Sequence, residues 1–219
     1  MNGQSPEWIG YFDEAELAGV TGGRLLELAH HQPALADEAA NLITRAIEAR
    51  PANVPDQEMR IGVTGHMNLS NETAVLVRER IRSVLATTRG PRPLVGVSCL
   101  AAGADTIFAE TVIDWGGELE VIVPSLDYRQ TKIKPDHAPT FDRLVSQARK
   151  VHTLPFHEAN RDAYEAANRD LLQSCEALVA VWDGQPPVDN GGTAAVVLEA
   201  AERGLEVHII WPAGARREQ

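Results

Sequence analysis

From residue 183 to residue 199 the chain reads DGQPPVDNGGTAAVVLE. Gly191 and Gly192 let backbone N–H groups converge, Thr193 offers a hydroxyl, and a pattern of small residues with helical spacing begins at the same point. Converging N–H groups at the positive end of a helix suit a phosphate. The alternative is a Pro/Gly loop that turns the chain, with Asn190 or Thr193 as a helix cap. Asp183 and Gly184 stand just before it, at the end of the apolar run ALVAVW (177–182).

Similar punctuation follows four other apolar runs. GVTGHMN (62–68) places Thr64, Gly65 and His66 where a backbone could approach an anion; a plain strand-to-helix turn is the alternative. It is neither G-x-G-x-x-G nor part of a G-x-x-x-x-G-K-[ST] segment, which removes the main support for a dinucleotide dehydrogenase or a P-loop NTPase. SCLAAGADTIFAE (98–110) carries Gly103 at a turn and Asp105 in a first helical turn. Asp105 is either a partner of the helix dipole or an acceptor for a ribose or base. PSLDYRQTKIKPDHAP (124–139) gathers Arg129, Lys132 and Lys134 in an acidic chain, with Tyr128 beside them. It reads as a lid over a phosphorylated ligand or as ordinary solvated charge. Finally, Phe156, His157 and Glu158 precede Arg161, Tyr164 and Asn168; the last two lie one helical turn apart. The histidines show no metal-ligand spacing, and neither a metal nor a cofactor is expected.

These residues need strands and helices to place them. From Met59 onward, apolar runs of strand length occupy 59–64, 93–99, 119–123, 150–156, 177–182 and 206–211. Helical segments are expected at 71–88, 104–115, 137–149, 161–175 and 191–203. The first carries the stripe Ala74, Val77, Ile81, Val84 and Leu85 behind a Ser70 N-cap. The alternation predicts an α/β fold with a doubly wound, mostly parallel Rossmann-like sheet over 58–219. Ligands of such sheets bind beyond the strands' carboxyl ends, where the strand order reverses. Residues 1–57 read as a helical extension closed by the linker RPANVPD (50–56). The stripe of Leu35, Ala39, Leu42, Ala46 and Ile47 must be buried, on the main domain by preference or in a homodimer.

The 219 residues suffice for one large domain or a domain with an appendage. No apolar run approaches the ~18–20 residues of a membrane span. The acidic start MNGQSPEWIGYFDEAE lacks the pattern of a secretory signal, so a cytoplasmic location without membrane partners is expected. Cys99 and Cys175 read as buried thiols. The net charge of −11 disfavours nucleic acid as a partner. It divides into −6 over residues 1–57 (three basic, nine acidic) and −5 over residues 58–219 (17 basic, 22 acidic).

Taken in order, IGVTGHMNL, CLAAGAD, ALVAVWDG and GGTAAVV resemble the SLOG superfamily. This Rossmann-like group includes DprA-type DNA-processing proteins and the lonely guy (LOG) phosphoribohydrolases. The resemblance spans roughly residues 58–212. It implies a nucleotide or nucleotide-derived ligand, with Gly65, His66, Gly103, Asp105, Asp183, Gly191, Gly192 and Thr193 as contacts. The first glycine turn of relatives often continues with Arg, where Met67 stands here; Arg129 or Arg161 would have to replace it. The hydrolase members resemble P-G-G-x-G-T-x-x-E. Here the acid's position is Val196, and Glu199 lies three residues further on. At ~100° per residue, six steps from Thr193 turn about 240°, away from the face of the missing acid. The expectation is therefore a binding protein that acts as sensor, carrier or regulator. The alternative is a LOG-like phosphoribohydrolase whose carboxylate comes from Asp105, Asp183 or Glu158.

Overall fold

A computed structural model describes residues 58–185 and 192–218. The extension and linker expected over 1–57, and Gly191, lie outside the described residues. The first strand, β1 (Met59–Gly65), leads into α1 (Asn71–Arg89). The Ser70 side chain accepts the Thr73 N–H and caps α1 as its sequence predicts. Next come β2 (Leu94–Ser98), α2 (Ala104–Asp114) and β3 (Glu118–Val123). A one-turn α3 (Tyr128–Thr131) and α4 (Ala138–Gln147) then lead to β4 (Lys150–Thr153). Finally, α5 (Arg161–Ser174), β5 (Ala177–Val181), α6 (Thr193–Glu202) and β6 (Glu206–Ile210) complete the alternation.

The six strands form one sheet in the order β4-β3-β2-β1-β5-β6, and every pairing is parallel. The chain moves outward from β1 to β4, then returns to β5 on the other side of β1. The strand order therefore reverses between β1 and β5. Alternation along the strands sends side chains to two faces. Met59, Ile61 and Val63 of β1 pack with Val77 and Ile81 of α1 and Phe108 and Val112 of α2. On that same face Leu119 and Val121 of β3 meet Phe141 and Leu144 of α4. The opposite face packs Val97, Ile122 and Leu178 against Leu171 of α5 and Val196 of α6. This is the doubly wound arrangement, and its parallel central strands β2 and β5 are buried along their whole length.

Two segments depart from expectation. Pairing of β4 with β3 continues through the Leu154 N–H to Val123 O at 2.9 Å, and β4 itself stops at Thr153 rather than at residue 156. Pro155 has no N–H to extend the ladder. The basic stretch expected as a long loop instead winds α3 and starts α4 at Ala138, with Pro139 in the first turn. Cys175 is buried, whereas Cys99 is only half-buried.

Candidate functional site at the carboxyl edge

At the reversal of strand order, β1 and β5 deliver His66 and Asp183 to each other. The His66 N–H bonds Val181 O at 3.0 Å, which fixes the end of β1 against β5. His66 Nε2 then lies 3.1 Å from Asp183 Oδ1 and accepts the Asp183 backbone N–H at 3.2 Å. The Asp183 side chain also accepts the Gln185 N–H at 3.1 Å, and its Oδ2 lies 3.2 Å from Arg217 Nε. The Trp211 ring stands edge-on to His66, with centroids 5.5 Å apart. Burial pushes the Asp183 carboxyl up, but the Gln185 N–H, His66 and Arg217 together outweigh it and hold the group below the usual carboxylate range. Asp183 is thus a fixed anion with a cation on its far side.

The two glycines expected at this edge serve close packing. A Cβ on Gly65 would stand 2.5 Å from Ala104 Cβ and 2.8 Å from Val181 O. Gly103 has φ +75°, and a Cβ there would lie 2.5 Å from His66 O. Both allow α2 to begin against the end of β1, where the Ala104 N–H bonds His66 O at 3.1 Å. Thr64 is half-buried in the strand end beside them.

Asp105 faces inward. Its carboxylate receives Ser98 Oγ at 3.1 Å and faces the backbone N–H groups of Ala101 and Cys99. Burial raises its pKa to about 6 against those hydrogen bonds. The loop it holds contains Leu100, which is fully buried at φ +55°. A branched apolar residue is strained in that region, so the loop is over-determined. Ser98 Oγ accepts the Leu100 N–H at 3.0 Å, and Thr106 Oγ1 donates to Ala101 O at 2.8 Å.

The start of α6 differs from those of α1 and α5. Gly192 is its N-cap with an extended backbone, and no side chain among the described residues caps the helix. Ser70 caps α1, and Asn160 caps α5 through the Ala163 N–H at 3.0 Å. Among the described residues, then, the first N–H groups of α6 have no side-chain acceptor, and half-buried Thr193 stands beside them. Val196 is buried in the core, and Glu199 binds Arg203 at 2.5 Å one turn further along.

The remaining candidates scatter. Arg129 makes two bonds of 2.6 Å to Asp142 of α4. Arg161 pairs with Glu165 at 2.8 Å, and Glu158 is exposed in the loop before α5. Tyr164 packs edge-on to buried Tyr128 with centroids 6.2 Å apart, and burial raises its phenol pKa. Asn168, one turn on, is half-buried and makes no side-chain hydrogen bond among the described residues. Burial also lifts both thiols, Cys175 to about 11. Gly184 is exposed with φ +76° after Asp183. Among the described residues no three His, Cys, Asp or Glu side chains are placed to hold a metal ion, and no helix is long and apolar enough to cross a membrane.

Sequence reasoning missed Arg217 and Trp211. The available signal was the pair Arg216-Arg217 after WPAG, two cations directly behind a turn that follows the last strand.

The reversal point, the helices on both faces and the polar edge between β1 and β5 define a doubly wound Rossmann-like protein. No family model matches the chain, and no curated protein does. Solved structures do match. DNA processing protein A from Streptococcus pneumoniae aligns at a TM-score of 0.52 and 16% identity, covering 94% of this chain and 84% of its own. The same protein from Helicobacter pylori, described for its single-stranded DNA binding mode, aligns at 0.52 and 13%, covering 74% and 70%. A weaker match, the molybdenum cofactor carrier protein of Chlamydomonas reinhardtii, has a TM-score of 0.44 at 17% identity over 70% and 76%, and carries no argument. At these identities the likeness is one of fold. That fold is the doubly wound Rossmann-like one that the alternation of strands and helices predicts.

Proposed function

We propose that the protein binds a nucleotide or nucleotide-derived small molecule across the carboxyl ends of β1 and β5, as a sensor, carrier or regulatory protein. The observation that carries this reading is the start of α6, which follows β5 at the reversal of strand order and has no side-chain cap among the described residues. An anion there would accept N–H groups that α1 and α5 give to their own caps. Gly192, Thr193 and Gly184 would form the cradle, and His66 and Asp183 its floor.

The test is a thermal-shift and calorimetry panel of nucleoside monophosphates, diphosphates and cyclic nucleotides. A ligand at a hundredfold excess over its Kd adds about 2.7 kcal/mol of stability. Gly192→Val should abolish that gain with little change in the ligand-free midpoint, because its φ of −84° is open to any residue. Retained binding in the variant would remove the α6 cradle. A short single-stranded oligonucleotide belongs in the panel; if it alone binds, the small-molecule reading falls.

A second reading is cleavage of the base–ribose bond of a nucleoside monophosphate. It is favoured by Asp183, a carboxylate held ionised at the reversal point and able to stabilise an oxocarbenium-like state. Against it, Val196 fills the position of the hydrolases' acid, and Glu199 is tied to Arg203. Free base released by the wild type and lost in Asp183→Asn would establish this reading over the first.

A further inference from the structure

The chain does not leave the sheet after β6. Residues 212–218 turn back across the carboxyl edge and lie against the segment between β1 and α1. The Ser70 N–H bonds Arg216 O at 3.2 Å, and the Arg216 N–H bonds Thr73 Oγ1 at 2.7 Å. Leu69 and Arg217 form an antiparallel bridge. The Glu218 N–H bonds Asn68 O at 2.7 Å, and Asn68 Nδ2 donates to Glu218 O at 2.6 Å. The backbone of this segment is therefore fixed from both sides, and it supplies an acceptor at the start of α1.

Two consequences follow. With Ser70 and Arg216 as acceptors at its start, α1 is not a free anion site. The bridge at Arg217 also sets that residue's Cα, and its guanidinium Nε lies 3.2 Å from Asp183 Oδ2. Its two terminal nitrogens make no hydrogen bond among the described residues, and the side chain is 45% exposed. A guanidinium that uses one of its donors on a carboxylate keeps a flat fork free, the geometry that suits phosphate oxygens.

We infer that Arg217 is the anion-binding side chain of the ligand edge, taking the phosphate of a nucleotide while Asp183 holds the guanidinium in position. This rests on the binding function proposed above and names the cation that Met67 does not provide. Neither Arg129, whose Nε and one terminal nitrogen bind Asp142, nor Arg161, paired on its own helix, stands at the reversal point.

The experiment compares AMP, GMP, CMP and UMP with their nucleosides by calorimetry on the full chain, in wild type and in Arg217→Gln, Arg217→Lys and Arg216→Gln. For whichever monophosphate binds, Arg217→Gln should weaken affinity by about tenfold to a hundredfold, the scale of lost charge-assisted hydrogen bonds. Nucleoside affinity should be unchanged, Arg217→Lys should fall between, and Arg216→Gln, whose side chain is exposed, should bind as wild type. Equal monophosphate affinity in Arg217→Gln, or an equal loss for nucleoside and monophosphate, overturns the inference while leaving the binding function intact. A wild type that binds no nucleotide overturns the binding function itself, and the inference with it. Thermal midpoints of the ligand-free variants identify any loss caused by unfolding; should Arg217→Gln unfold, the Arg217→Lys result decides by the same comparison.

Discussion

Asp105 and Asp183 are carboxylates on the two turns that flank the end of β1 at one sheet edge, and their surroundings move their protons in opposite directions. Asp183 has a guanidinium, an imidazole and a backbone N–H, and stays ionised. Asp105 has only a hydroxyl and two backbone N–H groups inside the core, and burial lifts it from 3.8 to about 6. A group whose folded pKa is raised adds stability fully below its unfolded value, and loses it as pH rises through the folded one. The wild type should therefore lose on the order of 2–3 kcal/mol from Asp105 between pH ~4 and ~6. Asp105→Asn should lack that decline while keeping a partner for Ser98. Urea midpoints at pH 4 and pH 7 check this; parallel curves for the two proteins would show that Asp105 does not titrate in the fold. Glycines and small residues marked the right turns in the sequence, so the candidates fell on strand ends. Their partners did not show, because Arg217 with Asp183 and Arg129 with Asp142 are contacts made by the fold and absent from any local spacing.

The elements were legible because their periods are unambiguous. Val77, Ile81, Val84 and Leu85 recur at helical spacing and are all buried on α1, and five buried residues in a row mark β5 as a central parallel strand. Less legible was β4, an exposed edge strand whose side chains need not be apolar, and the strand order itself, which depends on long-range pairing. How elements dock also escapes periodicity, and glycines record it. Gly62 and Gly65 are both in β1, yet they meet different obstacles. A Cβ on Gly62 would press on Leu171 Cδ2 at 2.7 Å and Cys175 Sγ at 3.0 Å, the ends of movable side chains. One on Gly65 would meet Ala104 Cβ at 2.5 Å and the backbone oxygen of Val181 at 2.8 Å, neither of which moves without shifting α2 or β5. Overpacking of this kind costs typically about 1–3 kcal/mol. Gly65→Ala should sit at or above the upper end and Gly62→Ala at the lower. Chemical denaturation ranks them, and equal losses would mean that α2 is not locked to β1.

Across the whole molecule the two edges of the sheet handle charge differently. The carboxyl edge keeps donors available, in the start of α6 and the fork of Arg217. The amino edge closes its charges upon one another. Arg60 reaches Glu120 across β2 at 2.6 Å, and Arg149 reaches the same carboxylate at 2.7 Å and Glu58 at 2.5 Å, with Glu118 in contact as well. Glu120 is buried, and its hydrogen bonds to Arg60, opposed by burial and reinforced by Arg149, lower its pKa from 4.5 to about 2. A lowered carboxyl adds stability above its unfolded pKa and loses it as pH falls through the folded one. Its share, on the order of 2–3 kcal/mol, should be complete at neutral pH and disappear between pH ~4.5 and ~2. That slope is opposite in sign to the one from Asp105. Glu120→Gln should accordingly be less stable at pH 7, because two guanidinium groups lose their shared anion, and should lose less on acidification. Affinity for the nucleotide proposed to bind at the opposite edge should not change at pH 7, since the network touches only the strands' amino ends. Denaturation curves from pH 7 down to pH 3, paired with calorimetry of whichever nucleotide binds as proposed, separate the two edges. A variant that kept wild-type acid sensitivity would show that the network does not anchor the sheet. One that lost ligand affinity without unfolding would show that the two edges are coupled through β1, which carries Arg60 near one end and Gly65 at the other.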